Sequence, residues 1–188
     1  PHARSLRLGW AEALAATRQA GDSALTLRIG LQNDLAANHI GDWVNALRAA
    51  FPGVSFYVEP DYSANMCTEL AGGSLDLALL FTPKPLPDLH FETVGEIAYR
   101  MVSTDTDRLG DVRADRYILP NYSPAFAQTH AILHPDLATA QVGSGQNAAV
   151  TGLLLRLGGA TYVLEDTARA LAGAGQARLV RDAPAITQ

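Results

Sequence analysis

The order of apolar and polar residues predicts an α/β protein of two doubly wound, Rossmann-like lobes with an interlobe cleft. Three observations carry this. The order strand-helix-strand-helix-strand occurs twice, over residues 25–81 and 117–164. A segment with three prolines, residues 82–89, joins the two and cannot be regular structure. The run LDLALLF, residues 75–81, is almost wholly apolar, as a parallel strand buried on both faces requires.

The elements follow in chain order. Residues 6–20 form an Ala-rich helical segment with Leu6, Trp10 and Leu14 near one stripe, closed by Gly21-Asp22-Ser23. Leu25, Leu27, Ile29 and Leu31 alternate with Thr26, Arg28 and Gly30, a strand. Ala36, Ile40, Trp43, Val44, Leu47 and Phe51 recur at helical spacing, with Asn33 or Asp34 as the N-cap and Pro52-Gly53 as the stop. Val54, Phe56 and Val58 alternate as a second strand, and Ser63 or Asn65 caps a short helix ended by Gly72-Gly73. Residues 97–104 form a strand, and 105–116 a charged loop or broken helix. Residues 117–120 form a strand, and Ser123-Pro124 opens a helix that ends before Pro135. Residues 139–143 form a strand, 147–157 a helix stopped by Gly158-Gly159, 161–164 a strand, 166–171 a helix and 177–180 a final strand.

The 188 residues with a single cysteine make one domain or two small lobes and need no disulfide. Cys67, between Met66 and Thr68 in a helical pattern, reads as a free core thiol. No run reaches the ~18 consecutive apolar residues of a membrane span, and the N-terminal residues lack a signal-peptide apolar core. A net charge of −5 with no basic cluster argues against direct grip on a nucleic-acid backbone. A reduced, cytoplasmic setting is the expectation.

Catalytic signatures are absent. Neither Gly72-Gly73-Ser74-Leu75-Asp76 nor Val142-Gly143-Ser144-Gly145-Gln146 is a nucleophile elbow. There is no phosphate-cradling loop ending in Gly-Lys, and Gly143-Ser144-Gly145 lacks the third glycine of a dinucleotide fingerprint. No catalytic residue, cofactor or metal is assigned. His130 and His134, at i and i+4, share a helix face. With no third ligand they read as partly buried histidines with hydrogen-bond partners. Asp76 reads as a strand-start residue accepting backbone hydrogen bonds.

LRIG (27–30), AAFPGV (49–54), LAGGSLDLALL (70–80) and LGGATYVLE (157–165) together resemble the effector-binding domain of LysR-type transcriptional regulators. That family has a strand ending in I-G, a helix closed by P-x-V, a G-x-L-D-x-A strand and a G-x-G-x-x-x-x-P segment. The order and spacing of these pieces cover residues 25–182. Glu165 stands where many members have proline, and the sequence stops before the family's closing residues.

The resemblance implies a periplasmic-binding-protein-like fold of type 2. Residues 25–103 would form lobe I, joined again by 165–188, and 104–164 would form lobe II. Residues 1–24 would be the remnant of a linker helix, with the DNA-binding winged helix-turn-helix outside this sequence. It further implies a cytoplasmic homodimer or homotetramer, dimerising through the helix after the first strand, that binds a small-molecule effector and reaches DNA only through the N-terminal part. Carried over by position, the ligand residues are Gln32, Asn33 and Asp34, then Phe81, Thr82, Ser103 and Thr104, then Asn121, Tyr122 and Ser123, and finally Gly143, Ser144 and Gly145. Asp34 either caps its helix or selects an amine over an anion. The alternative functions are a solute-binding protein of a transport system and a small α/β enzyme.

Overall fold

A computed structural model describes residues 25–83 and 85–188. They form two compact units. The first holds the described residues up to Leu80 with 86–89, and the second holds the described residues of 81–85 with 90–188. The expected helical segment over 6–20, within the linker remnant expected over 1–24, lies outside the described residues.

The first unit is a three-stranded parallel sheet in the order β2-β1-β3. β1 (Thr26–Gln32) pairs β2 (Ser55–Asp61) from Thr26 opposite Ser55 to Gln32 opposite Asp61. On its other side it pairs β3 (Leu77–Leu79). Helix α1 (Asn33–Ala50) leaves the end of β1 and α2 (Ser63–Ala71) follows β2. The alternation read in the sequence is the reason β1 is central. Leu27, Ile29 and Leu31 are all buried, and full burial of each such side chain is worth roughly 1.5–3 kcal/mol. The other face of β1 is covered by α2 and the turn before β3. A Cβ at Gly30 would lie 2.6 Å from Leu75 Cδ1 and 2.7 Å from Met66 Sδ, so the bare backbone is what lets those side chains pack there. Cys67 is buried in the same helix.

Two expectations for this unit change. The strand expected over 75–81 is only three residues, and Leu77 is 52% exposed. β3 bonds β1 on one side alone and, among the described residues, ends the sheet, so its apolar run is not buried on both faces. The N-cap of α1 is Gln32, without a side-chain cap bond, and neither Asn33 nor Asp34 caps it. The strand runs directly into the helix, which places Asn33 and Asp34 inside the first turn. α2 likewise starts after Tyr62, with no side-chain cap. The expectation for Asp76 holds. Its carboxylate accepts the Arg28 backbone N–H at 2.8 Å and pairs with the Arg28 guanidinium at 3.2 Å. That contact holds the Asp76 carboxyl below the usual carboxylate range.

The second unit joins an antiparallel group to a parallel pair. β4 (Ala98–Ser103) pairs antiparallel with β7 (Ala160–Leu164), β8 (Arg178–Leu179) and β9 (Ile186–Thr187). β5 (Ile118–Pro120) and β6 (Val142–Ser144) pair in parallel, and a parallel bridge from Tyr117 to Ala160 ties β5 to β7. Helices α3 (Pro124–Leu133), α4 (Asn147–Leu157) and α5 (Glu165–Gly173) pack on these strands. The core is aromatic at its centre: Tyr99, Phe126 and Tyr162 are fully buried, with Tyr122 stacked on Tyr99 at 4.6 Å.

The expected lobe boundaries, 25–103 with 165–188 and 104–164, are not those of the two units. Residues 98–103 and 165–188 belong to the second unit, because β4 hydrogen-bonds β7, β8 and β9 and α5 buries Ala168 and Leu171 against it. Instead of a strand over 139–143, the chain makes a 3-10 turn over Pro135–Thr139 and pairs only from Val142.

Candidate functional site

In open α/β sheets ligands bind beyond the carboxyl ends of parallel strands, where helix N-termini expose backbone N–H groups. Each unit has one such end. In the first unit, Gln32 is the last residue of β1 and lies beside Asp61, the last of β2. Gln32 is 2% exposed, and its Oε1 is buried without a hydrogen-bond partner. Asp34, in the first turn of α1, is also buried. Asp61 Oδ1 accepts the Tyr62 backbone N–H at 2.6 Å and Asn65 Nδ2 at 3.2 Å. Asp61 was not anticipated as a neighbour of Gln32. The parallel register brings it there, and that register is a non-local property of the chain.

In the second unit the pairing of β5 with β6 sets Leu119 opposite Gly143 and Pro120 opposite Ser144. The turns after both strands therefore lie side by side, joined by the Asn121 N–H donating to Ser144 O at 2.9 Å. The structure thus brings together five of the anticipated residues: Asn121, Ser123, Gly143, Ser144 and Gly145. Helix α3 starts from the first turn and α4 from the second, neither with an acidic residue in its first turn. Ser123 caps α3 as expected, its Oγ accepting the Phe126 N–H at 3.0 Å with Pro124 at the first helical position. Its hydroxyl donates to Gln188 Oε1, a partner far along the chain that no local pattern reveals. Gly143 has a structural reason of its own, since a Cβ there would lie 2.6 Å from Leu119 O.

Three anticipated residues are committed to the fold. The Ser103 hydroxyl donates to Gly159 O at 2.9 Å and accepts the N–H groups of Asp105 and Thr106 at 3.0 and 3.3 Å, which exhausts its capacity. Thr104 Oγ1 accepts the Gly159 N–H at 2.8 Å and donates to Asp105 Oδ1 at 2.8 Å. Tyr122 is buried, with its hydroxyl donating to Tyr162 O at 2.7 Å. Phe81 is buried, and Thr82 is exposed with φ of 43°, a left-handed conformation uncommon for a β-branched residue.

His130 and His134 lie in the core with their Nε2 atoms on tyrosine hydroxyls, Tyr117 at 2.7 Å and Tyr162 at 2.8 Å. The Tyr162 hydroxyl donates to Pro184 O at 2.8 Å, so it accepts from a His134 Nε2–H. Burial, with a smaller contribution from His134 beside it, lowers the His130 pKa to about 4, and burial lowers that of His134. Burial pushes the Tyr117 phenol well above its ordinary value. Among the described residues no group of three or more metal-ligating side chains occurs. The pair is the hydrogen-bonded helix histidines that the sequence led us to expect. Nor is any described helix long and apolar enough to cross a membrane.

Over residues 20–187 the sequence matches the family described as LysR substrate binding domain. Among solved structures, the bromide-bound regulatory domain of HypT from Salmonella typhimurium is similar, with a TM-score of 0.65 at 14% identity over 89% of this chain and 84% of that one. The reduced regulatory domain of OxyR2 from Vibrio vulnificus gives 0.61 at 15% identity over 89% and 81%. Full-length LysG from Corynebacterium glutamicum, with bound effector Arg, gives 0.64 at 16% identity over 100% of this chain and 66% of that one. No curated protein matches the chain.

Proposed function

This chain belongs to the LysR substrate binding domain family, with that family's type 2 periplasmic-binding-protein-like fold, and from that premise we propose which residues sense its effector and how. The effector is a small molecule received at the turns beyond the parallel strands. In the first unit these are Gln32, Asn33 and Asp34, and in the second Asn121, Ser123, Gly143, Ser144 and Gly145. The observation that carries the reading is the β5–β6 pairing, which sets two polar turns and two helix starts side by side. Phe81 and Thr82 keep their place in the proposed set. Ser103, Thr104 and Tyr122, expected in the same set, have hydroxyls engaged by Gly159 and Tyr162.

Binding acts by population shift. An effector changes the regulator only through its differential affinity for two arrangements, and about 2 kcal/mol of coupling gives a ~30-fold shift. In the full regulator that shift passes to DNA through an N-terminal part in a cytoplasmic homo-oligomer, with α1 as a dimer face. The bound Arg of LysG supports a small polar effector as the type of input. A binding site is favoured over a catalytic one: the Ser123 hydroxyl accepts a helix N–H and donates to Gln188 Oε1, and the buried histidines lie on tyrosine hydroxyls. Family membership favours a regulator over a transport protein of the same fold.

The test is a thermal-stability screen of small acids and amines, with native mass spectrometry of the purified chain for a retained ligand. At least one compound is expected to raise Tm, and Asn121→Leu, which removes an exposed polar side chain and leaves the strand pairing, abolishes the shift. No shift and no retained mass would remove the sensing reading.

A further inference from the structure

We propose that the carboxyl end of the first sheet receives an N–H donor of the effector, an ammonium, guanidinium or amide group, through Gln32 Oε1 and the negative charge of Asp34. The assignment rests on the effector-sensing reading and adds the chemical class of ligand.

Gln32 carries the argument. Its Oε1 is buried and accepts no hydrogen bond, whereas nearly all buried polar atoms have a partner. By the alternation of β1 its side chain lies on the face of Gly30, which α2 covers through Met66. It therefore points toward the start of α2, beside Asp61. A carbonyl oxygen in that position takes a donor and repels a carboxylate.

The charges around it agree. A helix N-terminus ordinarily attracts anions, but both helix starts at this end already hold carboxylates of the protein. Asp34 sits in the first turn of α1. Asp61 stands just before α2 and accepts the Tyr62 N–H and Asn65 Nδ2. The described cations of the unit lie elsewhere. Arg28 is paired with Asp76 ahead of β3, and Arg48 is in the last turn of α1. An anionic ligand group would meet the carboxylates of Asp34 and Asp61 and the Gln32 carbonyl oxygen here, whereas a cationic or amide donor finds an acceptor in each of the three.

The test uses the 188-residue chain and two probes on the same four-carbon skeleton, putrescine with two amines and succinate with two carboxylates, titrated calorimetrically. Putrescine is expected to bind. Gln32→Glu, which keeps an oxygen there and adds charge, should tighten it about tenfold, and Gln32→Leu should weaken it about tenfold, as the gain or loss of one charge-assisted bond implies. Asp34→Asn should weaken it several-fold, and keeps the test readable if Gln32→Leu does not fold. Succinate binding that falls in Gln32→Glu, with putrescine silent, would overturn the donor class and leave effector sensing intact. Putrescine binding indifferent to all three substitutions would overturn the assignment to this site. Binding of neither probe would overturn the assignment, and sensing falls with it only if the broader screen is also silent.

Discussion

Gly159 stands where the backbone leaves no room for a side chain. Its φ is 101°, and a Cβ would lie 1.8 Å from the Arg116 carbonyl oxygen. Its N–H and C=O are held by Thr104 and Ser103, and the Arg116–Asp105 ion pair closes the same turn at 2.9 Å. The Gly158-Gly159 pair was legible as a helix stop, but the second glycine does more, since it lets β7 start directly against the residue before β5. Gly159→Ala is expected to cost more than about 3 kcal/mol, because both the left-handed backbone and the clash with a carbonyl must be relieved by moving a strand. Urea unfolding of the variant measures this as a lowered midpoint at unchanged slope.

At the scale of elements, helix α4 was legible to the residue, because Val150, Leu153, Leu154 and Leu157 keep the helical period and glycines follow. The start of α3 was legible too, since Ser123 and Pro124 encode a cap in two adjacent residues. Ser123→Ala is expected to cost about 1–2 kcal/mol, from loss of the bond to the Phe126 N–H. Amide hydrogen exchange should show the loss as faster exchange of Phe126. What local sequence could not carry is pairing. β4 reads as an ordinary short strand, and nothing within it says that it runs antiparallel to β7 and also bonds β8 and β9, the last of which, Ile186–Thr187, lies beyond the final strand expected at 177–180. The candidate site divides in the same way. Turns at strand ends were legible as places for a ligand, whereas the Asp61 beside Gln32 and the Gln188 on Ser123 come from distant segments. Ser103 and Thr104 entered the expected set by their position in the resemblance, and the turn at Gly159 also uses their hydroxyls.

For the molecule as a whole, the buried His–Tyr network ties folding to proton activity. His130 is 1% exposed with its Nε2 on the Tyr117 hydroxyl, and His134 joins α3 to Tyr162 and the Pro184 carbonyl. A charged imidazole is disfavoured there, so the folded pKa of His130 falls from 6.5 to about 4. The folded value lies below the unfolded one, so as pH falls the unfolded chain takes up the proton first. The stabilisation is fully present above pH 6.5 and is lost progressively toward about pH 4. For His130 the loss is about 3 kcal/mol, and the lowered pKa of His134 acts in the same direction. Salt bridges with exposed partners, such as Arg169–Glu165 and Arg169–Asp166, contribute little to set against it. Urea titrations spaced across that interval should show the unfolding midpoint falling with pH, and His130→Gln, which keeps an acceptor for Tyr117 without a titrating ring, should flatten the fall. An unchanged pH slope in the variant would mean that other groups, and not this histidine, set the acid sensitivity of the fold.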